Sequence, residues 1–130
     1  MTSTAQQKYN SLEAVAEWVE SILKDKFNLS IDSGKKVSNT HFFFTNTTTG
    51  IKYFIRYANH FQAKGNYWRA GNSVELIERN SLEELNDYDH VIVAKPNVMY
   101  WTRVEQIRKK GKRNGNYIFF PVYVLQRFDK

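Results

Sequence analysis

Apolar residues at Leu12, Val15, Ala16, Val19, Ile22 and Leu23 recur at intervals of three and four. One face of a helix running through about Phe27 is therefore apolar. Asn10 is expected to cap it, and Glu13, three positions on, to complete a capping box that satisfies free amides at the helix start. The period then shortens. Asn28 to Asp32 reads as a short strand and Ser33 to Lys36 as a loop. Thr40–Thr45 and Ile51–Tyr57 are rich in aromatic and β-branched residues and flank the polar, glycine-ended stretch Asn46–Gly50, which predicts a β-hairpin.

The middle of the chain is weaker in pattern. Ala63 to Ser73 is loop-like, with Tyr67, Trp68 and Arg69 at its centre. Residues 74–79 and 82–87 each read as a helical turn, the second capped by Ser81 with Glu84 at the matching position. Periodicity returns at Val91–Ala94, a continuously apolar run expected of a strand covered on both faces. Pro96-Asn97 turns it into an aromatic strand, Val98–Thr102. Thr102 followed by Glu105 repeats the capping-box spacing, so a helix is expected from Arg103 to about Lys110, stopping at Gly111. Asn114-Gly115 is a turn signal, and Tyr117–Phe120 reads as a last strand ending at Pro121.

The order helix, hairpin, mixed turns, hairpin, helix, strand predicts an α+β fold of α/β/α-like layering, a mixed sheet flanked by helices. Residues 10–130 read as one domain and residues 1–9 as a loose, polar N-terminal stretch. No internal repeat, linker or low-complexity tract interrupts it.

Composition narrows the class. Of 130 residues 42% are apolar and 15% aromatic, which excludes a disordered chain because so many large rings must be buried. Nineteen Lys and Arg against thirteen Asp and Glu give +6 and a pI near 9.5, a balance suited to anionic partners. Absence of cysteine removes disulfides, thiolate catalysis and sulfur-bound zinc. No apolar run has membrane-spanning length and no signal-peptide core is visible, so a soluble, cytoplasmic protein without a membrane partner is expected. Asn46-Thr47-Thr48 matches a glycosylation acceptor that such a location would leave unused.

Charge is densest in Arg108-Lys109-Lys110-Gly111-Lys112-Arg113, extended upstream by Arg103. Five cations in six residues suit phosphate contacts, and the nearby rings of Tyr100, Trp101 and Tyr117 suit stacking on unpaired bases. The competing interpretation is a solvated helix end whose lysines complement the helix dipole. His41, His60 and His90 lack the HxH or HExxH spacing that places two metal ligands on one element, and each reads as a structural or surface histidine. Glu13, Glu17, Glu20 and Lys24 share one stripe of the first helix. No glycine-rich phosphate loop and no GxSxG elbow occurs.

The run Tyr88-Asp-His-Val-Ile-Val-Ala-Lys-Pro-Asn-Val-Met-Tyr-Trp-Thr-Arg-Val-Glu-Gln-Ile107, with the closing segment Pro121 to Phe128, resembles the late strand pair, helix and end of the PD-(D/E)XK, or restriction-endonuclease-like, nucleases, notably small members from archaea and their viruses. The resemblance implies a metal-dependent site with an acid on the hairpin, an acid-x-Lys triplet on the next strand and a further Glu from the first helix. Arg56-Tyr57-Ala58 stands where the triplet is expected, and no acid occupies Asn39 to His41; Glu20 alone matches. Hard cations demand several oxygen ligands, so the resemblance implies a degenerate member that binds nucleic acid without an intact metal site and without a catalytic residue.

The candidate contacts are Lys52, Arg56, Trp101, Arg103, Arg108, Lys109, Lys110, Lys112 and Arg113. Lys52 and Arg56 share one face of their strand and are suited either to phosphate or to simple solvation. Two other functions stay open. One is an active magnesium-dependent nuclease with acids drawn from Glu20, Asp32, Glu75 or Glu78. The other is a protein-interaction or regulatory factor of a mobile element or virus. The aromatic content is compatible with a homodimer. A single site requires Glu20, His41, Arg56 and the 108–113 run to converge on one concave surface.

Overall fold

The computed structural model describes residues 11–38, 41–57, 74–78, 83–95, 98–114 and 117–129, with backbone alone for 74–78, 112–114, 117–119 and 122. Helix α1 spans Leu12–Ser21, and its cap is Ser11, whose Oγ accepts from the Ala14 amide at 3.1 Å. Asn10, the expected cap, lies outside the described residues. With Ser11 as cap the third helical position is Ala14, so the expected capping box does not form. Glu13 instead receives Lys36 Nζ at 3.0 Å.

Beyond Ser21 the helix widens into one π-helical turn, Ile22–Lys26, closed by Phe27 N donating to Ile22 O at 3.1 Å. The extra residue keeps Leu23 in the core and leaves Phe27 44% exposed. Asn28, at φ 56, ends the helix in the left-handed conformation that asparagine tolerates. The short strand expected over residues 28–32 shrinks to a single bridge, Ile31 to Asn46.

Lys35–Lys36, expected in a loop, form the edge strand β1. Gly34 makes this possible: its φ is +79, and a Cβ there would stand 2.4 Å from the Phe42 ring. Strands β2 (His41–Thr45) and β3 (Lys52–Tyr57) form the expected antiparallel hairpin. Asn46 holds its turn, being buried and accepting from the Thr48 and Thr49 amides through Oδ1 at 2.9 and 3.1 Å. Its Oδ1 is thereby committed to the turn.

Val74–Glu78, expected as a helical turn, is strand β4. It pairs with a strand about forty positions away in the chain, a partner that local propensity cannot register. Residues 58–73, which include His60 and the loop expected over Ala63 to Ser73, lie outside the described residues, as do residues 1–9 and Ser81. Strand β5 (His90–Ala94) is buried throughout Val91–Ala94, as its unbroken apolar run requires, and β6 (Met99–Arg103) returns antiparallel to it.

Helix α2 follows at Val104–Lys110 with Arg103, not Thr102, in the cap position and no side-chain cap. Its first amides are satisfied by main-chain carbonyls instead: Val104 N donates to Asp89 O at 2.9 Å and Glu105 N to Asp87 O at 3.1 Å. Gly111 ends α2 in an extended conformation (φ −80, ψ 158), so the chain runs directly into strand β7 (Lys112–Asn114). Strand β8 (Tyr117–Pro121), a 3₁₀ turn at Val122–Val124 and strand β9 (Gln126–Arg127) complete the chain.

The main sheet is mixed and six-stranded, in the order β1-β2-β3-β5-β6-β9, with β3 and β5 parallel; β4-β8-β7 form a second, antiparallel sheet. Strand alternation sends Phe44, Tyr53, Ile55, Ile92 and Met99 to one face, against Leu12, Val15, Val19 and Leu23. Phe54, Val91 and Val93 point to the other, against Val104 and Ile107 of α2 and Phe120 of β8. Both faces are thus covered, and the α+β class with a helix on each side of a mixed sheet is what the chain adopts.

Candidate nucleic-acid interface

The candidate residues divide between the two faces of the main sheet. Lys52 and Arg56 lie on the face covered by α2, both half-buried; Arg56 sits opposite His41 on β2 and Val93 on β5. Trp101 and Arg103 lie on the opposite face, since Trp101 pairs with Ile92 and Arg103 with His90. Glu20 is on α1, on that second side, where its carboxylate holds Lys24 Nζ at 2.8 Å. Glu20 is therefore separated by the sheet from His41 and Arg56, and the convergence on one surface does not occur. His41 is buried, with Nδ1 2.9 Å from Ser38 Oγ and its ring 5.2 Å from that of Phe54.

The basic run is also divided by the fold. Arg108, Lys109 and Lys110 form the last turn of α2, all exposed. Arg108 pairs with Asp87 at 3.0 Å and donates a further hydrogen bond to the Leu85 carbonyl, so part of its charge is spent within the fold. Lys112 and Arg113 belong to β7 rather than to a turn, and their side chains are outside the described set.

Where β6, the start of α2 and the chain around β9 meet, the surface opens into a groove of about 440 Å³. Trp101, Arg103, Gln106, Tyr123 and Gln126 line it, together with one carboxylate, Glu105. Tyr123 is 69% exposed, an unusual setting for a large ring. Arg103 is exposed beside it, while Trp101 is half-buried and presents one part of its indole. The groove thus combines two aromatic surfaces, a guanidinium and two neutral amides that both donate and accept. Tyr123, Gln106 and Gln126 were not among the sequence candidates. Their only signal was proximity in the chain to an aromatic strand and to a proline-ended one.

The acidic side chains have structural work. Asp89 is 1% exposed, and its carboxylate accepts from the Lys52 amide at 2.9 Å and the Asn86 amide at 2.8 Å. Through these bonds and its own carbonyl it ties β3, β5 and the start of α2 together. Asp32 Oδ1 likewise accepts from the Gly34 and Thr45 amides at 3.0 Å each. Among the described residues no group of three or more His, Asp or Glu is close enough to hold a metal ion, and no helix is long and apolar enough to cross a membrane. Glu75 and Glu78 sit on β4, with side chains outside the described set.

No protein-family model, no curated protein and no solved structure matches this chain.

Proposed function

We propose that this protein binds nucleic acid through the groove beside β6 and the exposed cations of α2, on a nuclease-like scaffold that works without a metal site. The observation that carries this reading is the company kept in the groove: Tyr123, Trp101 and Arg103 around two glutamine side chains, with Lys109 and Lys110 exposed on the adjoining helix. Aromatic faces stack on bases of any sequence, and cations beside them neutralise phosphate. The formal charge of +6 adds long-range attraction for a polyanion.

Salt dependence tests it directly. Three phosphate contacts from Arg103, Lys109 and Lys110 give a log–log slope of about −2 on a single strand, so affinity falls roughly 20-fold between about 50 and 200 mM salt. Fluorescence anisotropy with labelled single and double strands measures this. The triple variant Arg103→Gln, Lys109→Gln, Lys110→Gln is expected to flatten the slope. Binding that ignores both salt and these substitutions removes the reading.

A further inference from the structure

Trp101 also lines a second, smaller pocket of about 110 Å³, on the face of the sheet that α1 covers. The imidazole of His90 lies there between two rings, 5.1 Å from Tyr53 at 17° and 5.0 Å from Trp101 at 39°. The strand register produces this stack. Tyr53 is opposite His90 across the parallel pair, and Trp101 is its diagonal neighbour because Arg103 is directly opposite. Leu23 and Leu29 line the pocket from either side of the helix end, and Phe27 opens it to the surface. Phe27 reaches that position through the π-helical turn and stacks on Phe128 at 5.5 Å. Such single turns of wider helix recur at functional sites.

Three features point to an occupant. The first is the imidazole itself. Its Nδ1 is enclosed and has no hydrogen-bond partner among the described residues. An orphaned lone pair is tolerated better than an orphaned N–H, so the neutral ring carries its proton on Nε2. Nε2 is the nitrogen left to meet a ligand, and it offers a donor. Burial above all, and then the Arg103 charge, lowers the pKa of His90 and keeps the ring neutral, with Asp89 opposing.

The second feature is size. An apolar cavity of about 150 Å³ accommodates benzene, so 110 Å³ that is open at one side suits a single six-membered ring. The third is continuity and charge. The pocket and the groove share Trp101. Lys26 Nζ stands 5.8 Å from the Phe27 ring centre, and Arg103 lies beside His90, so cations flank the entrance where a phosphate would lie.

We propose that the His90 pocket receives one unpaired pyrimidine base from a strand whose phosphates follow the groove. The base stacks among the rings of Tyr53, Trp101 and Phe27, and one of its ring carbonyls accepts from His90 Nε2. This rests on the nucleic-acid reading above and narrows it to single strands, because the ring faces of a paired pyrimidine are covered by its stacked neighbours and cannot enter a pocket of aromatic rings.

The test compares three strands of equal length: oligothymidylate, oligodeoxyadenylate and a chain of abasic deoxyribose phosphates. Thymidylate is expected to bind about tenfold or more tightly than the abasic chain, with adenylate between. The His90 imidazole resonances, followed by NMR, are expected to move with thymidylate and to stay in place with the abasic chain. Leu29→Trp fills the pocket and is expected to erase most of the thymidylate advantage while leaving abasic affinity unchanged. His90→Phe keeps the stack and removes the donor, so it serves if the bulkier variant does not fold. Equal affinity for thymidylate and abasic chains, with unmoved His90 resonances, overturns the pocket and leaves phosphate binding standing. Failure of every strand to bind overturns both.

Discussion

The two faces of the main sheet are finished in different ways. Under α2, Phe54, Val91, Val93, Val104, Ile107 and Phe120 close the layer with mainly branched aliphatic side chains, each 5% exposed or less. Under α1 the layer is equally tight along Val15, Val19, Ile55 and Ile92, but it changes character toward Tyr53, His90 and Trp101. Branched aliphatic side chains interdigitate and fill irregular space, whereas stacked planar rings meet face to face and leave their edges unfilled. The gap remains where the rings gather, and the enclosed Nδ1 of His90, which has no partner among the described residues, lies there too. One face supplies stability; the other, at one end, gives some of it up for an open surface.

The sharpest way to break this contrast is to truncate one side chain on each face to alanine. Ile107→Ala is expected to cost about 2–5 kcal/mol, because it leaves a cavity that rigid neighbours cannot fill. Phe27→Ala, at the mouth of the aromatic pocket, is expected to cost only about 1 kcal/mol, the value of a lost ring contact at a half-exposed site. Chemical denaturation measures both. Similar losses would mean that the pocket is part of the core after all.

Asp89 sharpens the comparison from the polar side. Replacing it with alanine strands the Lys52 and Asn86 amides and is expected to cost about 2–4 kcal/mol. Asp89→Asn retains an oxygen acceptor and is expected to recover much of that loss. An Asp89→Ala protein as stable as the parent would show that water replaces the carboxylate freely, and that this corner is no better sealed than the pocket.

The smallest effect expected is one of pH. Burial lowers the pKa of His90 below its unfolded value near 6.5. Between those two values the unfolded chain binds more protons than the folded one, so stability falls as pH drops through that window and is unaffected above it. His90→Phe is expected to remove this part of the acid sensitivity, seen as a smaller difference in Tm between pH 7.5 and a pH below the window. An unchanged difference would assign the acid loss to carboxylates elsewhere.

Much of the frame was legible from local patterns. The three-and-four spacing of Leu12 to Leu23 gave α1, and the aromatic and β-branched runs flanking Asn46–Gly50 gave the β2–β3 hairpin. The strand pair β5–β6 was legible as two runs flanking Pro96-Asn97, residues that themselves lie outside the described set. Placing Tyr53 across from His90 needed more, because the β3–β5 pair is parallel and no turn sets its register.

Side-chain periodicity and turn chemistry act over a few residues, so the amino-acid order alone settled the helix, the hairpins, the buried strand β5 and the basic character of the surface. Contacts between distant segments decided the rest. Val74–Glu78 became a strand because β8 was there to pair with it, and α2 took its cap from the Asp87 and Asp89 carbonyls rather than from Thr102. The proposed cation set was divided for the same reason. Alternation places neighbours on opposite sides of a sheet, and only the assembled sheet shows that Lys52 and Arg56 look toward α2 while Trp101 and Arg103 look away from it.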